Sequence, residues 1–354
     1  MITLAVIYGG MSSEHSISCI SAGAIMAELP REKYEIYPVG ITKDGTWVAG
    51  STDPVGDSTL PTVDGGREVA LSVNPTRRGE FYDPNTGEVL ATVDAVFPVL
   101  HGTYGEDGTI QGLLDLAGVP YVGPGVLSSA CSMDKEFTKT IARSAGVPVT
   151  REFILHDGVD TAAVDDEVRE YLGLPVFVKP ARGGSSIGIT KVTAWEDLDR
   201  AVNAAREYDT KVIIEAELIG DEVEVGVMER PDGELVASPP AKLNGTADSD
   251  EGFYGFETKY LDNVVTATIP AGYDEELNEQ LADLALTTFR ALSCQGLARV
   301  DFFVTESGPM LNEVNTMPGF TSISMYPQVF LAAGMTYGEL LETLIATALE
   351  RSAK

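Results

Sequence analysis

Cysteine is scarce and scattered. The 354-residue chain has three, Cys19, Cys131 and Cys294. They form no Cys-x-x-Cys pair and no Cys/His cluster, so neither a disulfide framework nor a zinc site is expected. Positive charge is also in short supply, with 24 Lys and Arg against 54 Asp and Glu and a formal net charge of −30. A field of that sign repels nucleic acid and anionic membranes, so no nucleic-acid or membrane partner is expected. Local Lys and Arg can still reverse the potential inside a cleft. The apolar start Ile2 to Tyr8 is too short for a signal segment or a membrane span, has no basic flank and runs into Gly9-Gly10, so the cytoplasm is the expected compartment. Neither GxGxxG nor the Walker pattern GxxxxGK[ST] occurs, and there is no internal repeat or low-complexity tract.

What is present is an ordinary globular composition, 44% hydrophobic with a mean hydropathy of +0.04, long enough for two or three domains. Ile2 to Tyr8 reads as a buried strand, Gly9-Gly10 as a turn, and Ser16 to Leu29 as a helix with Ile17, Ile20 and Ala24 on one face. That is a βα unit of a parallel sheet. Tyr34 to Ile41 and Val93 to Leu100 read as further strands and Thr109 to Ala117 as a helix, whereas residues 42 to 92 predict hairpins and loops without assignable chemistry. From Ser132-Met-Asp-Lys135 to Glu215 the pattern alternates helices and short strands, a compact α+β unit. A hairpin follows around Pro231-Asp-Gly233, then helices from Asp274 to Leu292 and from Tyr337 to Leu349. Residues 239 to 262 mix Pro-Pro, Asn-Gly and acids with Phe253, Tyr254, Phe256 and Tyr260, a composition that suits a lid.

The densest chemistry lies between Arg299 and Asn315. Apolar residues alternate around Ser307-Gly308, and a turn there pairs positions whose numbers sum to about 614. Asp301 then opposes Glu313, with Asn315 on the same face. Three oxygen donors favour Mg²⁺ or Mn²⁺, and Arg299 beside them suits a reaction that develops negative charge on a phosphoryl or acyl oxygen. A solvated hairpin with scattered acids is the plainer alternative. Val178-Lys-Pro-Ala-Arg-Gly-Gly-Ser-Ser-Ile-Gly188 joins two strands and offers N–H groups and hydroxyls to phosphate, with Lys179 adding a charge; it also reads as a simple turn. Glu14 opens a helix, where it repels a pyrophosphate but suits an ammonium, or merely complements the helix dipole. His101, at the carboxyl end of an apolar strand, is either a substrate contact or a satisfied structural residue, and Glu106 shares that ambiguity. Gly319 and Ser324 precede a helix that could receive a carboxylate.

Gly-Gly-x-Ser-x-Glu14, His101-Gly-x-x-Gly-Glu-Asp-Gly108, Ser132-Met-Asp-Lys135, Lys179-Pro-x-x-x-Gly-Ser-Ser-x-Gly188, Glu257-x-Lys-Tyr260, Arg299-x-Asp301 and Glu313-x-Asn-Thr-x-Pro-Gly319 occur in that order over nearly the whole chain. Together they resemble the D-alanine:D-alanine ligase family of the ATP-grasp superfamily. The resemblance implies an ATP-grasp architecture: a Rossmann-like parallel-sheet substrate domain over residues 1–134, and two α+β domains, 135–218 and 219–354, sandwiching ATP. The second of these would carry the metal site and the lid, 239–262.

It further implies that Lys135 and Lys179 contact ATP phosphates, Glu215 and Leu218 the adenine region, Glu222 the ribose, and Lys259 the γ-phosphate. Asp301, Glu313 and Asn315 would hold two Mg²⁺ or Mn²⁺ ions. Glu14, Ser185 and Tyr260 would form a closing triad on the first D-alanine, with His101, Arg299, Gly319, Ser324 and Met325 completing the site for two D-alanine molecules. The product would be D-alanyl-D-alanine for peptidoglycan synthesis, formed by way of a D-alanyl phosphate, and a homodimer is the family expectation. Ala216 departs from the Lys that some members carry, and Met325 from the more usual Leu. A D-alanine:D-lactate ligase, an ATP-grasp ligase for other substrates, a dinucleotide-dependent dehydrogenase and a D-amino-acid sensor are the competing readings; the last two leave the metal hairpin idle.

Overall fold

The computed structural model describes residues 1–55, 60–184, 187–245 and 266–353. The first sheet has the strand order Trp47–Ala49, Tyr34–Ile41, Ile2–Gly9, Ala95–Val99. Ile2–Gly9 pairs in parallel with both Tyr34–Ile41 and Ala95–Val99. Alternation along Ile2–Gly9 sends side chains to two different cores. Leu4, Val6 and Tyr8 pack with Ile25 and Met26 of the helix His15–Glu28 and with Phe320, Tyr326, Phe330, Leu340 and Leu344 from the C-terminal part. Ala5 and Ile7 pack with Val39, Phe81, Ile110 and Leu114 on the opposite side. A strand buried on both faces has to be continuously apolar, as this one is from Leu4 to Tyr8. Gly9 closes it with φ +89°, and a side chain there would strike the Ile41 carbonyl oxygen.

Residues 42 to 92 do form short antiparallel pieces: Trp47–Ala49 edges the first sheet, and Ala70–Leu71, Glu80–Tyr82 and Val89–Thr92 make a three-stranded sheet. The second large sheet, in the order Thr190–Val192, Val176–Pro180, Val212–Ala216, Glu152–Leu155, is antiparallel throughout. Val176, Val178, Val212 and Ile214 face the helix Leu198–Arg206. By alternation Phe177, Lys179, Ile213 and Glu215 face the other way.

The third sheet centres on Gly220–Glu229, Leu297–Thr305 and Gly308–Asn315. Val223, Val225, Val300, Phe302, Leu311 and Val314 pack against Leu281, Ala285 and Phe289 of the helix Glu275–Ala291, and Ala142 and Val147 join this core. Each of these large aliphatic and aromatic side chains contributes about 1.5–3 kcal/mol on full burial.

Two elements differ from the sequence reading. A helix, Val126–Met133, precedes Lys135–Ser144, the two being separated by Asp134, which is extended and whose carboxylate accepts from Glu136 N at 3.1 Å. The stretch expected to form a lid begins with a strand, Ala241–Asn244, that pairs with both Gly220–Glu229 and Thr266–Thr268. The remainder of that stretch, from 246 onward, lies outside the described residues. Among the described residues no single helix is long and apolar enough to cross a membrane.

Candidate active site

Three strands of the third sheet carry their polar side chains on one face, in register. Glu224 pairs with Asp301, which pairs with Glu313; one step on, Gly226 pairs with Arg299, which pairs with Asn315. The register of the hairpin shifts between Asp301 and Phe302. Between the turn and the shift, numbers sum to 613, as in Thr305 with Gly308; beyond it they sum to 614, as in Asp301 with Glu313. The extra residue is Asn312. Because of it Leu311 and Val314 both reach the core while Glu313 and Asn315 share the face of Asp301. A bulge beside a site that must aim side chains is a recurrent device.

Arg299 donates to both Asp301 oxygens, Nε to Oδ1 at 2.8 Å and Nη2 to Oδ2 at 2.7 Å, and its Nε lies 3.1 Å from Glu224 Oε2. Asn315 Nδ2 donates to Asp301 Oδ2 at 2.9 Å. Among the described residues no three His, Cys, Asp or Glu side chains gather as a closed metal cage. Two carboxylates and one amide lining adjoining cavities form an open donor set, the kind Mg²⁺ accepts when a substrate supplies its other ligands.

This face looks across to the second sheet over a cavity of about 490 Å³. Lys135, Lys179, Glu215, Leu218, Glu222, Asp301 and Glu313 all line it, together with the apolar surfaces of Phe177, Ile189, Leu243 and Phe303. A cleft with flat apolar walls at one end and cations at the other suits a nucleotide. Lys135 enters it from the first position of its helix, an unfavourable place for a cation on helix-dipole grounds. It is held by donating to Gly183 O at 2.7 Å and lies 3.5 Å from Glu313 Oε2. Lys179 and Lys139 both contact Glu215. Burial alone would push the Glu215 carboxyl up, but the two ammonium groups override it and hold it down at about 2.

A second cavity, about 60 Å³, adjoins the first and shares Lys135, Gly183, Gly184 and Glu313 with it. Its wall also includes Glu14, Gly102, Glu106, Ser132, Arg299 and Asn315. Gly102 makes room for Glu14, since a methyl group added there would lie 2.8 Å from Glu14 Oε2. Glu106 Oε2 accepts from Gly102 N at 2.8 Å and Oε1 from Met317 N at 2.9 Å. Burial, reinforced by Glu14, pushes its carboxyl up to about 7.

His101, Gly319, Ser324 and Met325 do not line either cavity. His101 Nδ1 donates to Met317 O at 2.9 Å, and its Nε2 lies 3.1 Å from Ser21 Oγ, which accepts from Phe320 N at 3.2 Å. A neutral ring satisfies all three bonds, and burial lowers its pKa accordingly. His101 and Glu106 thus grip the carbonyl and the N–H of Met317 and fix the approach to Gly319. Ser324 Oγ accepts from Thr321 N at 3.0 Å. Ser185, Lys259 and Tyr260 lie outside the described residues.

Two participants were not read from the sequence. Glu224 was signalled by its alternation with Val223 and Val225. Lys139 lies one helical turn beyond Lys135, the spacing at which side chains share a face.

The chain matches the family described as D-ala D-ala ligase N-terminus over residues 3–124 and that described as D-ala D-ala ligase C-terminus over residues 141–346. The D-alanine:D-alanine ligase of Corynebacterium diphtheriae is 60% identical over 354 residues, covering 99% of this chain and 96% of that protein. Among solved structures, the VanG D-Ala:D-Ser ligase of Enterococcus faecalis is 36% identical with a TM-score of 0.85, covering 98% of this chain and 99% of that one. The Bacillus anthracis D-alanine:D-alanine ligase complexed with ATP is 27% identical with a TM-score of 0.73, covering 100% and 99%.

Proposed function

The chain belongs to the D-alanine:D-alanine ligase family, and from that premise we propose how its two cavities carry out ATP-dependent joining of D-alanine to D-alanine. The larger holds ATP, with the adenine between Phe177, Ile189 and Phe303 near Glu215 and Leu218, the ribose at Glu222, and the phosphates at Lys135 and Lys179. The smaller holds the amino acids, with Glu14 on the ammonium of the first D-alanine. Ser185 and Tyr260 complete that contact, and Lys259 reaches the γ-phosphate. The division into 1–134, 135–218 and 219–354 goes with this reading, as do a homodimer and a cytoplasmic location, where ATP is available.

The first D-alanine carboxylate attacks the γ-phosphate, forming an acyl phosphate and ADP while Lys135, Lys179 and Arg299 neutralise the spreading charge. The amine of the second D-alanine then attacks the acyl carbon. Arg299, in the wall of the smaller cavity, stabilises the tetrahedral oxyanion before phosphate departs; the Gly319 N–H, which lies outside that wall, would join it if the 317–325 segment closes on the substrates. Two Mg²⁺ or Mn²⁺ ions, held by Asp301, Glu313 and Asn315, would screen the β- and γ-phosphate oxygens. Met325 and Ser324 would shape the second subsite through the 317–325 segment.

The observation that carries this reading is that the two cavities share Lys135 and Glu313, so that a carboxylate bound on the Glu14 side would meet a phosphate bound on the Lys179 side. The test is release of ADP from ATP with and without D-alanine, with the dipeptide identified by mass. ADP release that needs no D-alanine, or a D-alanyl-D-lactate or D-alanyl-D-serine product preferred over the dipeptide when acceptors compete, would overturn it.

A further inference from the structure

Lys139 is 1% exposed and lines neither cavity, yet it is a lysine. Burying an ammonium costs several kcal/mol unless a counter-ion answers it. The answer is Glu215, 4% exposed, whose Oε1 contacts Lys139 and whose Oε2 contacts Lys179. Glu152 is the other carboxylate acting on Lys139, and it is already paired with Arg143. The three groups have a fixed order. Lys139 stands behind Glu215, away from the cavity, whereas Glu215 and Lys179 both face into it.

We propose that Lys139 is a positioning residue of the nucleotide site, a permanent buried counter-ion for Glu215 that allows Lys179 to leave that carboxylate for the phosphates of ATP. This rests on the reading of the larger cavity as the ATP site. In the structure Lys179 is shared with Glu215, so engaging a phosphate costs Glu215 one of its two cations. With Lys139 in place one remains and the carboxylate stays compensated. Without Lys139, transfer of Lys179 would strand a buried charge, and ATP would have to supply that penalty from its own binding energy. A ligand lacking phosphates makes no demand on Lys179 and would not notice.

The experiment measures binding of ATP and of adenosine to the full-length protein by calorimetry. Lys139→Met should weaken ATP by about tenfold or more and adenosine by less than about threefold. Lys139→Arg, which keeps the charge, should hold ATP within about threefold of wild type. Equal weakening of ATP and adenosine, no weakening of ATP, or an Arg variant as poor as Met would each overturn the proposal. Should Lys139→Met fail to fold, Glu215→Gln is compared with Lys139→Met/Glu215→Gln. With no carboxylate to strand, adding Lys139→Met should cost ATP less than about threefold, and a tenfold loss there overturns the idea. Lys179→Met separates the two levels: if it binds ATP as wild type does, the ATP-site reading itself fails, whereas a loss there with Lys139→Met unchanged sinks only the role of Lys139.

Discussion

Replacing Glu106 by Gln should change how stability depends on pH, because this partly buried carboxyl in the wall of the smaller cavity joins two distant segments. It accepts from Gly102 N and Met317 N, and burial, with Glu14 adding to it, moves its pKa from an ordinary 4.5 to about 7. The folded protein therefore binds this proton more tightly than the unfolded chain does. The resulting stability is fully present below 4.5 and is lost as pH rises through about 7. At about 1.4 kcal/mol for each tenfold change in proton affinity, the wild type gives up about 3 kcal/mol through this one group. Gln does not titrate, but it has only one acceptor oxygen for two N–H groups, a cost of about 1–3 kcal/mol at every pH. Urea unfolding of both proteins from about pH 5 to about pH 8 tests this. The wild type should be the more stable at the acid end, and its advantage should vanish or reverse at the alkaline end. His101 titrates in both proteins and drops out of the difference. Parallel curves would show that Glu106 is ordinary, and the reasoning would fail.

Replacing Asp301 or Glu313 by Ala should leave the fold intact and lower D-alanine-dependent ADP release by about a hundredfold or more; a near-normal rate in either variant would remove the argument for bound cations. Gly319→Ala places a methyl group 2.6 Å from Ser324 Oγ, which Thr321 N holds in place. A loss of about 1–3 kcal/mol in thermal or urea unfolding is expected, largely restored in Gly319→Ala/Ser324→Ala. A double variant as unstable as the single one would refute that clash.

Much of this was legible because the informative patterns are local. The apolar start Ile2 to Tyr8 gave a strand buried on both faces from Leu4 on, and the stretch that follows Lys179 does run from one strand, Val176–Pro180, to the next, Thr190–Val192. What could not be read depends on partners far along the chain. His101 allowed two roles until Met317, 216 residues away, was found on its Nδ1. Lys139 looks like any surface lysine on a charged helix, and its pairing with Glu215, from a strand 76 residues on, explains its burial. The strand Ala241–Asn244 was hidden by Pro239-Pro240, which signals a loop locally but here immediately precedes a strand that the sheet stabilises.

The hairpin of Leu297–Thr305 and Gly308–Asn315 was legible in one respect and not in another. Pairing positions that sum to 614 put Asp301 opposite Glu313, yet a turn that starts at Thr305 and Gly308 dictates 613. Continued without interruption, that register would oppose Asp301 to Asn312 and turn Glu313 into the apolar core, a cost of several kcal/mol even with the carboxyl protonated. The bulge at Asn312 reconciles the turn with the core, so the acidic face exists because one residue is left over. Deleting Asn312 should then be tolerated by the fold. Leu311, Glu313, Val314 and Asn315 would alternate core, cleft, core, cleft against their present partners, and thermal stability should change by no more than about 1–2 kcal/mol. Activity should not survive as well, because a regular strand lacks the bend with which Asn312 and Glu313 together face Asp301, and displacement of about 1 Å at a reacting centre can cost about a hundredfold in rate. Measured together, the unfolding midpoint and the rate of D-alanine-dependent ADP release decide the matter. An unfolded deletion variant would mean the bulge serves the core, and a fully active one would mean it serves nothing at the site.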